Sequence, residues 1–251
     1  EWTAVGATDC DEDQVRDLID RLFPGGPPGA DGLRRAAWAV ATRRFAIIAG
    51  GPGTGKTTTV TRILAMLLEL GRRAAGGPSW TPPRVALMAP TGKAAARMKE
   101  TIRAEMAVLR GMQDTGIDPS VLAEIRVEAS TLHRALGAHP DHPTRFRFGA
   151  DNLLPVDLAI VDEASMIDFA MMTRLVEAIP PTARLVLLGD RDQLASVEAG
   201  AVLGDLCGDP DGAGDFGPDA PPIAGAGAFL RHPFRFGADT GIGALSRAIR
   251  A

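Results

Sequence analysis

The sequence predicts an α/β fold, a doubly wound and mostly parallel sheet with helices on both faces. Three observations carry it. Short apolar runs of strand length stand at 45–49, 85–89, 158–161 and 185–188. Helix-length amphipathic segments alternate with them, which is the pattern of strands covered on both faces by crossover helices. And 45% of the 251 residues are hydrophobic, enough to fill a core on each side of such a sheet.

Residues 14–23 carry Val15, Leu18, Ile19 and Leu22 at helical spacing and stop at Pro24-Gly25-Gly26-Pro27-Pro28-Gly29, so residues 1–30 are expected to be a lead-in helix and linker. Residues 36–40 read as the end of a second helix, and 45–49 as the first buried strand. A glycine-rich turn follows, then a helix over 57–70 with Val60, Ile63, Leu64, Leu67 and Leu68 on one stripe. The unit repeats: strand 85–89, the turn Pro90-Thr91-Gly92, and a helix over 93–109. Strands 158–161 and 185–188, separated by a helix over 169–179, complete the alternation. Such a sheet binds ligands at the carboxyl ends of its strands. Residues 208–227, rich in Gly, Pro and Asp, read as a long mobile loop.

Composition removes several classes. No stretch approaches the roughly 18 uncharged apolar residues of a membrane span, and the acidic first twenty residues are unlike a signal peptide. Cys10 and Cys207 form neither a zinc spacing nor a disulfide framework, which suits a cytoplasmic protein. With 27 Lys and Arg against 31 Asp and Glu, the net charge of −4 gives no global basic field, so any nucleic-acid contact must be local. The start at Glu1 rather than Met leads us to expect a truncated or processed product.

Gly50-Gly51-Pro52-Gly53-Thr54-Gly55-Lys56-Thr57, with Thr58 next, satisfies G-x-x-x-x-G-K-[ST] between a buried strand and a helix. The glycines let backbone N–H groups turn around a β-phosphate, the helix N-terminus adds its positive end, and Lys56 supplies a charge toward the β and γ oxygens. Thr57 would place its hydroxyl on Mg²⁺. A bare flexible turn would explain the glycines but not the lysine, the threonine and both flanking elements. Strand 158–161 ends in Asp162-Glu163 and is expected beside the phosphate loop. Asp162 would hold Mg²⁺ through water and Glu163 would polarise the attacking water, unless both merely cap the next helix. Gln193, just past strand 185–188, can sense a γ-phosphate or be an ordinary loop residue.

Together these segments resemble a superfamily 1 DNA helicase, and more narrowly the RecD family, the alpha subunit of exodeoxyribonuclease V. Gly50 to Thr58 is similar to its motif I, Pro90-Thr91-Gly92-Lys93-Ala94-Ala95 to motif Ia, and Ser130-Thr131-Leu132-His133-Arg134-Ala135-Leu136-Gly137 to the DNA-contacting segment that follows. Val161-Asp162-Glu163-Ala164-Ser165-Met166 is similar to motif II, Gly189-Asp190-Arg191-Asp192-Gln193-Leu194 to motif III, and Phe234-Arg235-Phe236 to motif IV. The resemblance spans about residues 12–250. It implies a RecA-like P-loop NTPase fold, ATP and Mg²⁺ as cofactors, and Lys56, Glu163, Gln193 and Arg235 in catalysis, the last approaching the γ-phosphate. It implies single-stranded DNA contacts from Thr91, Lys93, Ser130, Thr131 and His133, which read alone as a solvated helix-start charge and polar residues after strands. It implies 5′ to 3′ movement on single strands, with RecB- and RecC-like partners, in double-strand break repair and recombination.

Leu33 stands where that family has a glutamine that reads adenine, and nothing like motifs V and VI occurs. The expectation is therefore a first motor domain over 31–251, with a small insertion near 137–150 and the second motor domain absent. In the insertion, His139 and His142 sit among two prolines with no further ligand cluster, which favours a β-turn excursion over a metal site. Its Arg145 and Arg147 would touch DNA or a partner. Two rivals remain at this point: a nucleotide-gated binding module without turnover, and an unrelated P-loop NTPase such as a clamp-loader ATPase or a small-molecule kinase.

Overall fold

The computed structural model describes residues 11–25, 31–76, 80–139, 141–190, 202–207 and 227–230. Its centre is a six-stranded sheet in the order β3-β2-β6-β7-β1-β8, every pair parallel. The strands are β1 (Phe45–Gly50), β2 (Val85–Ala89), β3 (Ala129–Thr131), β6 (Leu158–Val161), β7 (Arg184–Gly189) and β8 (Gly227–Leu230). A two-stranded antiparallel hairpin, β4 (Ala138–His139) and β5 (His142–Phe146), stands apart from it.

Alternation along each strand sorts the core into two layers. Ala46, Ile48, Leu87, Leu158, Ile160, Val186 and Leu188 face one side. There α1 (Glu12–Leu22), α2 (Asp31–Thr42), α3 (Lys56–Ala74), α4 (Gly92–Gly111) and α5 (Pro119–Glu124) cover them. Ile47, Met88, Ala159, Val161, Leu185 and Leu187 face the other side, under α6 (Leu132–Ala135), α7 (Phe169–Ala178) and α8 (Val202–Cys207). Both faces being covered explains why these strands read as unbroken apolar runs rather than alternating ones.

The lead-in helix is part of this core. α1 is capped by Asp11, whose carboxylate accepts from the N–H groups of Asp13 and Gln14, and it buries Val15, Leu18, Ile19 and Leu22 against α2 and α3. Each such side chain contributes roughly 1.5–3 kcal/mol. Arg62 of α3 fastens the end of α1: its guanidinium donates to the Leu22 carbonyl at 2.7 Å and to buried Glu105 of α4 at 2.6 Å. Arg184, opening β7, donates to the Ala41 and Arg43 carbonyls and so satisfies the C-terminal end of α2.

Two expectations change. β6 does not lie beside β1; β7 is inserted between them, pairing with both. Sheet order follows from the crossovers, which chain spacing does not encode. Gly227, read as the end of a loop, opens the edge strand β8 beside β1. The rest of the loop read over 208–227 lies outside the described residues, as do Gln193 and Arg235.

Candidate nucleotide site

Because all six strands run the same way, the turns after β1, β2, β3, β6 and β7 emerge at one edge. The phosphate loop leaves β1 at Gly50, where a Cβ would come within 2.7 Å of the Thr54 hydroxyl and 2.9 Å of the Leu230 carbonyl, so only glycine fits between the loop and β8. Gly53 and Gly55 adopt φ of 77° and 81°, the left-handed backbone that turns the loop over onto the start of α3. Buried Thr54 closes the turn by donating to the Gly51 carbonyl at 2.8 Å. Lys56 opens α3 and curls back over the loop, its ammonium donating to the Gly50 carbonyl and, at 3.1 Å, to that of Gly51. Pro52 is exposed, while Gly51, Lys56, Thr57 and Thr58 are buried or half-buried along the loop.

Thr57 reaches beyond the loop. Its hydroxyl donates to Oδ2 of Asp162 at 3.2 Å, bridging α3 to the end of β6 across the intervening β7. Asp162 is buried, and burial pushes its carboxyl up from the usual range, against the Glu163 N–H, Thr57, Lys56 and Arg97, which hold it down. Glu163 follows in the left-handed region at φ 54°, an uncommon conformation for a glutamate, and its N–H donates to Oδ1 of Asp162 at 2.9 Å. Burial first, then the Asp162 charge, raises the Glu163 carboxyl, and Lys56 and Arg97 oppose the rise. Hydroxyl and carboxylate oxygens so placed at the mouth of a phosphate loop suit a hard cation such as Mg²⁺.

The candidates for DNA contact sit at the same edge, on the half of the sheet away from β1. Thr91 caps α4 by accepting from the Ala94 N–H at 3.1 Å, with Lys93 exposed two residues on. Ser130 and Thr131 close β3, and Thr131 caps α6 by accepting from Arg134 N–H. The ring of exposed His133 lies 5.9 Å from that of Phe146 in the hairpin, tilted by 45° to it. In the hairpin itself the His139 and His142 rings meet at 5.4 Å, and Arg145 and Arg147 are exposed. β2 and β3 pair only with each other and β6, so Asp162 and Glu163 lie between these residues and the phosphate loop. The contact is direct: the Asp162 N–H donates to the Met88 carbonyl in β2 at 2.9 Å, three residues before Thr91.

Arg97 is the residue that sequence reading missed. It is exposed on α4 one turn after Lys93, and its charge acts on both Asp162 and Glu163. Its spacing of four from Lys93 was the available signal, since that places both on one face of the helix. Asp190, which follows β7, is buried and adds its charge to those raising Glu163. Leu33, in the position of the adenine-reading glutamine, lies in the first turn of α2 and packs half-buried against the core.

Comparison with known proteins agrees with this geometry. The profile of a family described as AAA domain matches residues 34–199. The RecBCD enzyme subunit RecD of Mycolicibacterium smegmatis is 47% identical over 92% of this chain and 37% of its own length. That of Mycobacterium tuberculosis is 48% identical over 93% of this chain and 36% of its own. The ATP-dependent RecD2 DNA helicase of Deinococcus radiodurans is 36% identical over 76% of this chain and 24% of its own. The chain thus spans little more than a third of the length of the two RecD subunits and about a quarter of that of the RecD2 helicase, and among its described residues no helix is long and apolar enough to cross a membrane. The chain belongs to the AAA domain family, and within it resembles, over nearly its whole length, proteins named RecBCD enzyme subunit RecD.

Proposed function

We propose that this chain is the first motor domain of a RecD-type ATP-dependent DNA helicase, moving 5′ to 3′ on single-stranded DNA with RecB- and RecC-like partners in the cytoplasm, in repair of double-strand breaks. The observation that carries it is the bridge from Thr57 to Asp162, together with the bond from the Asp162 N–H to β2. Those two contacts run from the phosphate loop, through the acidic turn, to the strand that presents Thr91 and Lys93. A change of charge at the γ-phosphate can therefore be felt at the DNA-facing edge.

In this reading the backbone from Gly51 to Thr58 cradles the phosphates and Lys56 neutralises them. Thr57 and Asp162 are the residues that would hold Mg²⁺, which supplies further charge neutralisation at the phosphate oxygens when bound. Glu163 orients and deprotonates the attacking water, and its raised carboxyl makes the ionised form a stronger proton acceptor than an exposed glutamate. Gln193 and Arg235 would sense and stabilise the γ-phosphate. Thr91, Lys93, Ser130, Thr131 and His133 would meet phosphates and bases of the strand.

The similarity to the Deinococcus protein favours a second reading, a RecD-like helicase that acts without RecB and RecC. ATP turnover by the chain with and without single-stranded DNA tests the common core of both. Stimulation by DNA, lost in Lys56→Ala, is expected; turnover and nucleotide affinity unchanged in that variant would overturn the assignment. Co-purification with RecB- and RecC-like subunits separates the two readings.

A further inference from the structure

We propose a second nucleic-acid site, a groove on the flank of the domain that grips the sugar-phosphate backbone of a strand beyond the Thr91 and Lys93 edge. It lies between α4 and the segment joining α5 to β3 and encloses about 450 Å³. Lys99, Arg103 and Arg110 form one wall, Arg126 and Glu128 the other, and Met106 the floor.

The arrangement differs from an ordinary solvated helix face. At about 100° per residue, Lys99, Arg103 and Arg110 fall within roughly 40° of one another on α4, and their Cα atoms span about 16 Å of its length. Arg126 adds a fourth cation opposite them. Among the described residues none of the four makes an ion pair, whereas the arginines of α1 and α3 are each matched with a carboxylate. Glu128 is the one acid in the lining. A chain of net charge −4 that gathers four unmatched cations in one groove pays their mutual repulsion, and a polyanion removes it.

Phosphates fit better than an acidic protein surface. Protein docking draws its energy from an aromatic or aliphatic anchor at the centre of the patch. Of the apolar lining, Met106 and Ile125 are already buried and Val127 is half-buried, and no aromatic ring lines the groove. The same lack excludes base stacking, so the contacts are to the backbone and independent of sequence. The placement is also continuous with the candidate track. α4 opens at the carboxyl edge with Thr91 and Lys93, and the stripe starts six residues on, about 9 Å further along the axis and a third of a turn around the same helix.

This inference rests on the reading of the domain as one that acts on nucleic acid, and the test keeps the two apart. Binding of short and long fluorescent oligothymidylates is measured over a salt series for the native chain, the triple variant Arg103→Gln/Arg110→Gln/Arg126→Gln, and Lys93→Ala. The native chain is expected to bind the long oligomer more tightly and with a steeper salt dependence. The triple variant should lose at least about tenfold for the long oligomer, and the slope of log K against log salt should fall by about 2, three contacts at roughly 0.7 each. Its short-oligomer and ATP affinities should stay unchanged, while Lys93→Ala weakens both oligomers. Equal long-oligomer affinity and slope in the native chain and the triple variant would overturn the groove. So would a triple variant that keeps its DNA affinity but loses binding to polyglutamate, which would mark a protein-docking surface. Failure of the nucleic-acid reading itself would show as no binding of either oligomer by the native chain.

Discussion

The hydroxyl of Thr57 and the carboxylate of Asp162 meet at 3.2 Å although the strands that carry them forward, β1 and β6, are separated by β7. The loop and α3 must arch over the end of β7 to make that contact, so the two residues act as one unit. Thr57→Ala and Asp162→Asn should each lower Mg²⁺-dependent ATP turnover by at least about tenfold, and the double variant should be little worse than the more damaging single. Fully additive losses in a double-mutant cycle would show that the contact has no functional coupling.

Glu163→Gln should keep ATP binding and cost about a hundredfold or more in turnover, the scale of lost general-base help. A base must be ionised, and burial together with Asp162 holds the Glu163 carboxyl above its ordinary range. Activity should therefore fall as pH is lowered through that raised value, at a higher pH than an exposed glutamate would give. The acidic limb of kcat/KM should flatten in the variant. A loss of only a few-fold would reduce Glu163 to a helix cap.

Arg97→Ala should move the same limb further up in pH. The Arg97 charge favours the ionised forms of Asp162 and Glu163, so its removal makes both harder to ionise. Thermal stability should change by less than about 0.5 kcal/mol, as expected for an exposed side chain away from structural features. A limb that does not move would separate Arg97 from the site.

Glu69→Gln should destabilise the fold by roughly 2 kcal/mol at neutral pH, because half-buried Arg72 and Arg73 lose the charge-assisted hydrogen bonds of a buried carboxylate. Burial alone would raise the Glu69 carboxyl, but hydrogen bonds from Arg72, Arg73 and the Asp118 N–H outweigh it and hold the carboxyl below its usual range. A lowered carboxyl stabilises above its unfolded value and loses that contribution as pH falls through the folded one. The native chain should therefore lose stability on acidification, and the variant should lose less. Denaturant midpoints for both at neutral and acid pH measure this directly.

Legibility in the sequence followed physical distinctness. β2 and β6 lie where apolar runs placed them, because strands covered on both faces have no polar positions to blur their ends. β3 and β8 were not read as strands. β3 is three residues, Ala-Ser-Thr, whose pairing with β2 supplies what its side chains do not. β8 follows a Gly- and Pro-rich stretch and owes its position to Gly32 of α2, where a Cβ would meet the Phe229 carbonyl at 2.7 Å. The phosphate loop was legible because backbone geometry demands its glycines, and the acidic turn at Asp162 because it ends an apolar strand downstream of that loop, although by itself it reads equally as a helix cap. Arg97 was not, since an exposed arginine on a helix is unremarkable until the fold brings it toward two carboxylates.

The position of β1 between β7 and β8 has a consequence for how the chain is made. Ala49 is in register with Gly189, and Gly50 with Leu230, so the strand that launches the phosphate loop has neither neighbour while most of the domain is still being synthesised. At roughly 10 residues per second, the apolar run from Phe45 waits on the order of 20 s for its second partner. During that interval an unpaired strand edge and its hydrophobic faces are open to other chains. This domain is therefore one in which the pace of translation and the presence of a holding chaperone should govern the yield of native protein, and in which the nucleotide site is among the last features to form.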